Sequence, residues 1–319
     1  MAGENIHHDV HGHVPVLAEQ VVQLLLFAKE SEDRCSAEVL VDLTIGRGGH
    51  AALLIEGAGS GNVSRVVGFD RDAENCRYAQ QRLERAFPDV HVEVIHSSFV
   101  HVRAELMKRS VAADVVLADL GFASNQMEDA ARGLSFQDDG PLDMRLDRDS
   151  VGRTGRDVLA ESSESDLAEM IFRFGEEPLA RRIAREIVSA RKQGPIETTS
   201  QLAAIVRTAY GSRAHQSRMQ PATRTFMALR IAVNDELAAL EVLLDSLGQR
   251  ANWLAPDARV AIICFHSLED RLVKRSFRGL QQRGMAELLT PKPIVADAAE
   301  IASNPRSRSA KLRAIAMKT

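Results

Sequence analysis

Cysteine is scarce in this chain: Cys35, Cys76 and Cys264 are the only three in 319 residues. They lie too far apart for a disulfide framework or the paired spacing of a zinc site. A reducing compartment fits, and the cytoplasm is the expected location. Long apolar runs are also missing. No stretch approaches the roughly 20 residues that span a bilayer, and the opening MAGENIHHDVHGHVPVL lacks a basic region followed by an apolar run. A soluble, unexported protein with no membrane partner is expected. Excess positive charge is absent too. The formal net charge is −4, which excludes a protein that coats nucleic acid non-specifically, since phosphate contacts supply most of that affinity. Any RNA binding must be local. Two acid-free basic stretches, 271–283 (RLVKRSFRGLQQR) and 304–319 (NPRSRSAKLRAIAMKT), are candidates, against a plainer reading as solvated faces of surface elements.

What is present is a chain with 45% apolar residues, enough for a principal domain carrying a smaller one. Short β-branched runs ending in a polar residue occur at Val39 to Asp42, Arg65 to Asp70, Val90 to His96, Asp114 to Asp119 and Arg259 to His266. They read as buried strands. Helical patterns separate the first four, clearest in Ala73 to Phe87, where apolar positions recur at three- and four-residue steps. This alternation predicts an α/β fold with a parallel, doubly wound sheet. From about Ala130 to Gln220 the alternation stops, leaving a Gly/Asp-rich loop and three helical patterns with Thr198 or Thr199 as an N-cap for the last. An inserted, smaller all-helical domain is therefore expected at 130–219, between the two parts of the main domain, 1–129 and 220–319. One long helix from about Ala222, striped by Phe226, Leu229, Val233, Leu237, Leu240 and Leu244, is expected to lead back into the sheet.

In such sheets ligands bind beyond the carboxyl ends of the strands. The first strand runs into Asp42-Leu43-Thr44-Ile45-Gly46-Arg47-Gly48-Gly49-His50. Glycines there let the backbone turn tightly and approach a ligand, although a bare strand-to-helix turn needs them as well. Gly46-x-Gly48-x-x-Ala51 also satisfies a relaxed dinucleotide pattern, and Asp70 at the end of the second strand suits a ribose diol in NAD or in S-adenosylmethionine. Asp42 tips the balance. A carboxylate there can face the cationic amino end of a methionine moiety but would repel a pyrophosphate, so S-adenosylmethionine is the better reading.

The fourth strand ends at Asp119-Leu120-Gly121-Phe122-Ala123-Ser124-Asn125-Gln126, where the incoming nucleophile is expected. Methylation at C5 of a pyrimidine needs a thiolate to add to the ring, and no cysteine occurs in this loop. An exocyclic amine needs acceptors for its hydrogens, and Asp119, Ser124, Asn125 and Gln126 can supply them. Asp119 could equally bond loop backbone or the amino group of the ligand.

With these residues in view, the chain resembles the RsmH (MraW) family of small-subunit ribosomal RNA cytosine-N4 methyltransferases almost end to end. The segments that carry the likeness are His13 to Leu17, Thr44 to His50, Gly68 to Asp72, Asp119 to Gln126, Arg132 to Phe136 and Asp139 to Arg145. Gly175 to Glu177, Pro221 to Phe226, Phe265 to Arg271 and Asn304 to Ser309 complete them. The resemblance implies a Rossmann-like class I methyltransferase sheet with a helical substrate-recognition insertion. It also implies S-adenosylmethionine contacts at Gly48, Gly49, His50, Asp70, Phe99, Asp119 and Gln126, and a decoding-region cytosine of 16S rRNA in a 30S-like particle as substrate. Phe99 on its own reads as a core residue opening a helix, though its ring could pack on an adenine. The chain departs from the family in one loop: where Leu-Gly-Val-Ser-Ser-Pro-Gln is usual, it has Phe122, Ala123 and Asn125. Gln220 likewise replaces a histidine. These changes bear on target choice and turnover more than on cofactor binding.

The expected mechanism unstacks the cytosine into a pocket between the lobes, holds its N4 hydrogens on the Asp119 to Gln126 loop, and brings N4 in line with the sulfonium methyl. Asp119, Ser124 and Asn125 are the candidate catalytic residues. Asp143, Arg145 and Arg224 are candidates for gripping the substrate, unless Asp143 and Arg145 simply pair with each other. His266 to Arg271 is expected to end the fifth strand and brace the site, with a general-base role for His266 as a weaker idea. No metal is expected: His7, His8, His11 and His13 sit at a terminus without convergent carboxylates. Two rivals stay open, a nicotinamide-dependent oxidoreductase and a non-catalytic rRNA-binding factor on the same fold. A monomer and a homodimer are both compatible with the sequence.

Overall fold

In the computed structural model the five expected runs form strands, joined by two more. These are β1 (Val39–Asp42), β2 (Arg65–Asp70), β3 (His91–His96), β4 (Ala113–Asp119), β5 (Leu254–Cys264), β6 (Ala286–Leu288) and β7 (Lys311–Met317). The structure describes residues 15–27, 35, 37–216, 220–249 and 253–318. The amino-terminal histidines 7, 8, 11 and 13 lie outside that set. Strand order is 3-2-1-4-5-7-6. β1 pairs in parallel with both β2 and β4, and β4 with β5, so the order reverses between β1 and β4. That switch point is where open α/β sheets hold ligands.

The chain forms two compact units: Phe122–Glu236, and Met1–Gly121 with Leu237–Thr319. In the sheet-bearing unit, alternate strand residues feed two cores, as a sheet covered on both faces requires. Leu40, Val66, Val115 and Ile263 pack with α1 (Ala18–Leu26), α2 (Gly49–Ala58) and α3 (Ala73–Ala86). Val41, Val67, Val116 and Ile262 pack with α4 (Val102–Lys108) and with two later helices described below. Trp253, wholly buried, fills the second core. Each such side chain contributes roughly 1.5–3 kcal/mol by leaving water.

In the helical unit, α5 (Ser124–Glu128), α6 (Gly155–Glu161), α7 (Glu164–Gly175), α8 (Ala180–Arg191), α9 (Thr199–Tyr210) and α10 (Thr223–Asn234) bury Leu167, Ile171, Ile183, Ile187, Leu202, Val206, Phe226 and Leu229. The segment 130–219 lies inside this unit. Thr198 caps α9, accepting the Gln201 N–H, as the Thr-x-x-Gln spacing dictates. Asn234 pins α10 to the preceding loop, donating to the Met144 carbonyl at 2.8 Å and accepting the Leu146 N–H at 2.9 Å.

Two sequence expectations are corrected here. The single long helix from Ala222 is two helices, α10 and α11 (Glu236–Gly248), because Asp235 turns left-handed at φ 50°. Its apolar stripe consequently divides: Phe226 and Leu229 enter the helical core, Leu240 and Leu244 the core under the sheet. Part of the basic tail is built into the sheet, although Arg308 and Lys318 stay exposed. Residues 311–317 form β7, antiparallel to both β5 and β6, and Arg313 lies buried with its guanidinium 2.6 Å from Asp270. Only α12 (Ser267–Gln282) carries the other basic stretch on its surface. A last short helix, α13 (Ala298–Ser303), returns to the first layer, where the Glu300 carboxylate accepts the Leu17 N–H at 2.7 Å.

Candidate active site

The loop after β1 is laced to both neighbouring strands. Ile45 donates to the Phe69 carbonyl at 2.9 Å, Gly46 N–H to the Asp70 carboxylate at 3.0 Å, and the Thr44 hydroxyl accepts the Asp119 N–H at 2.6 Å. Sequence reasoning did not single out Thr44 by itself, because an N–H partner from a strand distant in sequence leaves no local signature. Two glycines are dictated by geometry. Gly48, at φ 79°, is the residue before α2, a conformation costly for any residue with a Cβ. Gly68 lies under the loop: a Cβ there would be 2.3 Å from Ile45 Cδ1.

Three carboxylates gather at the carboxyl ends of β1, β2 and β4. Asp42 is buried, its Oδ1 accepting the Thr44 N–H at 3.1 Å, and burial pushes its carboxyl up to about 7. Asp70 accepts from Asp72 N–H at 2.8 Å and from Gly46, yet burial raises it to about 6. Asp119 is raised to about 7 by burial and then by the charge of Glu269, and its Oδ1 has no hydrogen-bond partner among the described residues. Glu269 lies in the 266–271 segment expected to brace the site, although nothing in the sequence tied its charge to Asp119. It is held by the turn after β5, accepting the Phe265 N–H at 2.9 Å, while His266 caps α12 by accepting the Glu269 N–H. His266 is thus a helix cap that sets Glu269 in place.

His50, in the first turn of α2, is buried, with Nε2 2.8 Å from the Val16 carbonyl and Nδ1 3.6 Å from Asp119 Oδ2. A carbonyl only accepts, so Nε2 carries the hydrogen. Burial pushes the pKa of the ring down. Phe99, at the start of a 3-10 turn after β3, is half-buried against the second core. The sheet-bearing unit therefore brings together Gly48, Gly49, His50, Asp70 and Asp119 around the switch point.

The other expected site residues belong to the helical unit. Gln126 is buried and its Oε1 accepts the Ala123 N–H at 2.9 Å, which closes the first turn of α5. Asn125 is half-buried on that turn, and the side chain of Ser124 lies outside the described set. Asp143 and Arg145 pair with each other through two bonds of 2.7 and 2.8 Å, and Arg145 also donates to the Ser150 carbonyl. The mutual pairing weighed from the sequence is what these two residues do. Arg224 donates to the Glu176 carbonyl at 3.1 Å. Phe122, the bulkiest departure in the loop, has the Arg230 guanidinium 4.8 Å over its ring, and Glu236 grips that guanidinium through two bonds.

The pattern described as the MraW methylase family matches residues 10–318. The chain belongs to the MraW methylase family. A relative named ribosomal RNA small subunit methyltransferase H from Geotalea uraniireducens (strain Rf4) is 41% identical over 322 residues, covering 96% of this chain and 98% of the relative. Proteins of the same name from Synechococcus sp. (strain WH7803) and Koribacter versatilis (strain Ellin345) are 43% and 41% identical, over 94% and 96% of this chain.

The cofactor of this methylase family is S-adenosylmethionine, and the donor set fits it. Three carboxylates forced toward protonation, one with an orphaned oxygen, favour a ligand that brings positive charge. A pyrophosphate would meet like charge at the same place, which disfavours a nicotinamide dinucleotide. Among the described residues no helix is long and apolar enough to cross a membrane.

Proposed function

We propose that this methylase transfers a methyl group to the exocyclic N4 amine of a decoding-region cytosine in 16S rRNA, acting on an assembled 30S-like particle in the cytoplasm. The carrying observation is Asp119: a carboxylate at the end of β4 with an unpartnered Oδ1 and no thiol in the loop that follows. An amine nucleophile needs such an acceptor, and a ring carbon would need a cysteine. The names borne by the relatives support rRNA as the substrate class.

In this reading Gly48, Gly49, His50, Asp70 and Phe99 hold S-adenosylmethionine, with Asp42 and Gln126 beside it. Asp70 keeps a lone pair on Oδ1 for a ribose hydroxyl, while its Oδ2 accepts from both Gly46 and Asn75. The half-buried ring of Phe99 supplies an apolar face for the adenine. When bound, the cofactor supplies an electrophilic methyl group on a sulfonium. Asp119 accepts an N4 hydrogen, which draws the nitrogen lone pair out of conjugation with the ring and toward the methyl. Ser124 and Asn125 assist from the start of α5, and the proton finally released from N4 passes to Asp119. Asp143 and Arg145 act on substrate as a fixed pair that shapes the pocket wall, while Arg224 offers charge to phosphate.

The test is nucleoside mass spectrometry of rRNA from a strain lacking the gene. The reading predicts loss of N4-methylated cytidine and its restoration when purified protein and S-adenosylmethionine are added to mutant small subunits. Persistence of the nucleoside without the gene would overturn it. Restoration of bulk function by a protein that transfers no methyl would instead favour a non-catalytic binding factor.

A further inference from the structure

The acid-free stretch 271–283 is the feature that the chemistry above leaves unused. It forms most of α12, and its charge is sorted by the fold. Val273, Phe277 and Leu280 are buried in the core under the sheet. The acids of the helix are both turned inward: Glu269 is buried in the turn after β5, and Asp270 is neutralised by Arg313 and Lys311. Outward stand Arg271, Lys274, Arg275 and Arg278, all exposed. For Lys274, Arg275 and Arg278 no hydrogen bond or ion pair is formed among the described residues.

A solvated helix face gains from opposite charges three and four residues apart and loses from like ones. Among the three cations without a described partner, like charges stand close on α12: Lys274 and Arg278 are four apart, Arg275 and Arg278 three apart. In a protein of net charge −4, this ridge is local, as the composition requires of any RNA contact. α12 starts directly beyond the carboxyl end of β5, whose Ile263 is in register with Asp119 of β4, so the first turn of the ridge lies nearest the edge that carries the carboxylates, and the helix then packs back along the face of the sheet through Val273, Phe277 and Leu280. From Arg271 to Arg278 the ridge is about 10 Å long at helical rise.

We infer that the outer face of α12 is a docking ridge for the phosphate backbone of the RNA substrate, with Lys274, Arg275 and Arg278 each neutralising a phosphate. This rests on the proposed rRNA methylation. The polyanion relieves the mutual repulsion of the ridge, and the contact is to backbone, so it positions the substrate without reading its sequence.

The variant Lys274→Ala/Arg275→Ala/Arg278→Ala changes only exposed side chains. Its melting temperature and S-adenosylmethionine affinity check that the fold and the cofactor site are intact, and Lys274→Gln/Arg275→Gln/Arg278→Gln serves as a second variant if the first is unstable. The expected result is a KM for small subunits raised at least tenfold with kcat within about twofold. Binding of protein-free rRNA, read by fluorescence anisotropy, should weaken in parallel. Its log–log salt slope should become shallower by about 2 to 3, at roughly 0.7 to 0.9 for each phosphate that the variant no longer neutralises. Unchanged RNA affinity and salt slope would overturn the inference. So would a loss confined to intact particles with free rRNA bound normally, which would assign the ridge to an acidic protein. Because anisotropy needs no methyl transfer, failure of the proposed reaction and failure of the ridge are read separately.

Discussion

Nδ1 of His50 lies 3.6 Å from Oδ2 of Asp119, while Nε2 of the same ring lies 2.8 Å from the Val16 carbonyl. The carbonyl fixes the hydrogen on Nε2, so a bare nitrogen faces a carboxylate. Two acceptors face each other, and desolvation raises Asp119 toward holding the missing proton itself. The site is therefore set for a ligand that brings positive charge.

A pH dependence follows. Asp42 and Asp119 titrate at about 7 in the folded protein against an ordinary 3.8. Between those values the folded state holds protons that the unfolded chain has released, so these groups favour folding at lower pH and lose that contribution as pH rises through about 7. His50, pushed down from 6.5, works in the opposite sense and only below that value. From pH 8 to 7 the carboxylates dominate. The melting temperature of ligand-free protein should rise over that interval, and calorimetry should show S-adenosylmethionine affinity falling as protons compete with the cation. A flat profile in both would mean that the carboxylates are already ionised.

Replacing Asp119 by Asn keeps the size of the side chain and removes the proton acceptor. Single-turnover methyl transfer should fall by about 100-fold or more, the usual scale for losing a positioned acid or base, while the cofactor still binds. Loss of cofactor binding alone, with transfer intact at saturation, would assign Asp119 to the ligand and not to the amine.

Thr44→Val leaves the Asp119 N–H unsatisfied in a partly buried setting, which costs about 1–3 kcal/mol. Chemical denaturation should show that loss, and Thr44→Ser should recover most of it because the hydroxyl alone makes the bond.

Gly68→Ala places a Cβ against Ile45 and should move the loop that ends in Gly48 and His50. Weaker S-adenosylmethionine binding is expected, and Ile45→Ala in the same chain should restore part of it. Additive effects of the two changes in a double-mutant cycle would deny the contact.

Phe122→Val returns the loop to the residue usual in the family. Removing the ring from under Arg230 should cost about 0.5–1 kcal/mol of stability, read by denaturation, with S-adenosylmethionine affinity unchanged because the carboxylates and the glycine loop lie in the sheet-bearing unit.

Much of this was legible in the residues. Buried strands announce themselves as β-branched runs, which made β1, β2 and β4 visible because a parallel strand covered on both faces is mostly apolar, and β3 at the sheet edge was visible by its alternating Val92, Val94 and polar residues. β6 and β7 were not: Ala286–Leu288 is three residues long, and β7 carries Lys311 and Arg313, whose charges are acceptable only because Asp270 meets them. The break at Asp235 was hidden for a similar reason, since the apolar stripe continues through it at helical spacing and only the backbone turn sends its halves into different cores.

The sequence by itself determined the class of fold, the glycine loop, the acids at the strand ends and, through its long resemblance, the family, because these depend on local spacing and residue type. Tertiary structure decided which groups act on one another. It set Thr44 on the Asp119 N–H, turned a bare His50 nitrogen to Asp119, brought the Glu269 charge to bear on Asp119, and faced the α12 cations outward while pairing Arg313 of the tail with Asp270. Partners so distant along the chain meet only when the strands close, and burial, which shifts the carboxyls, exists only after folding.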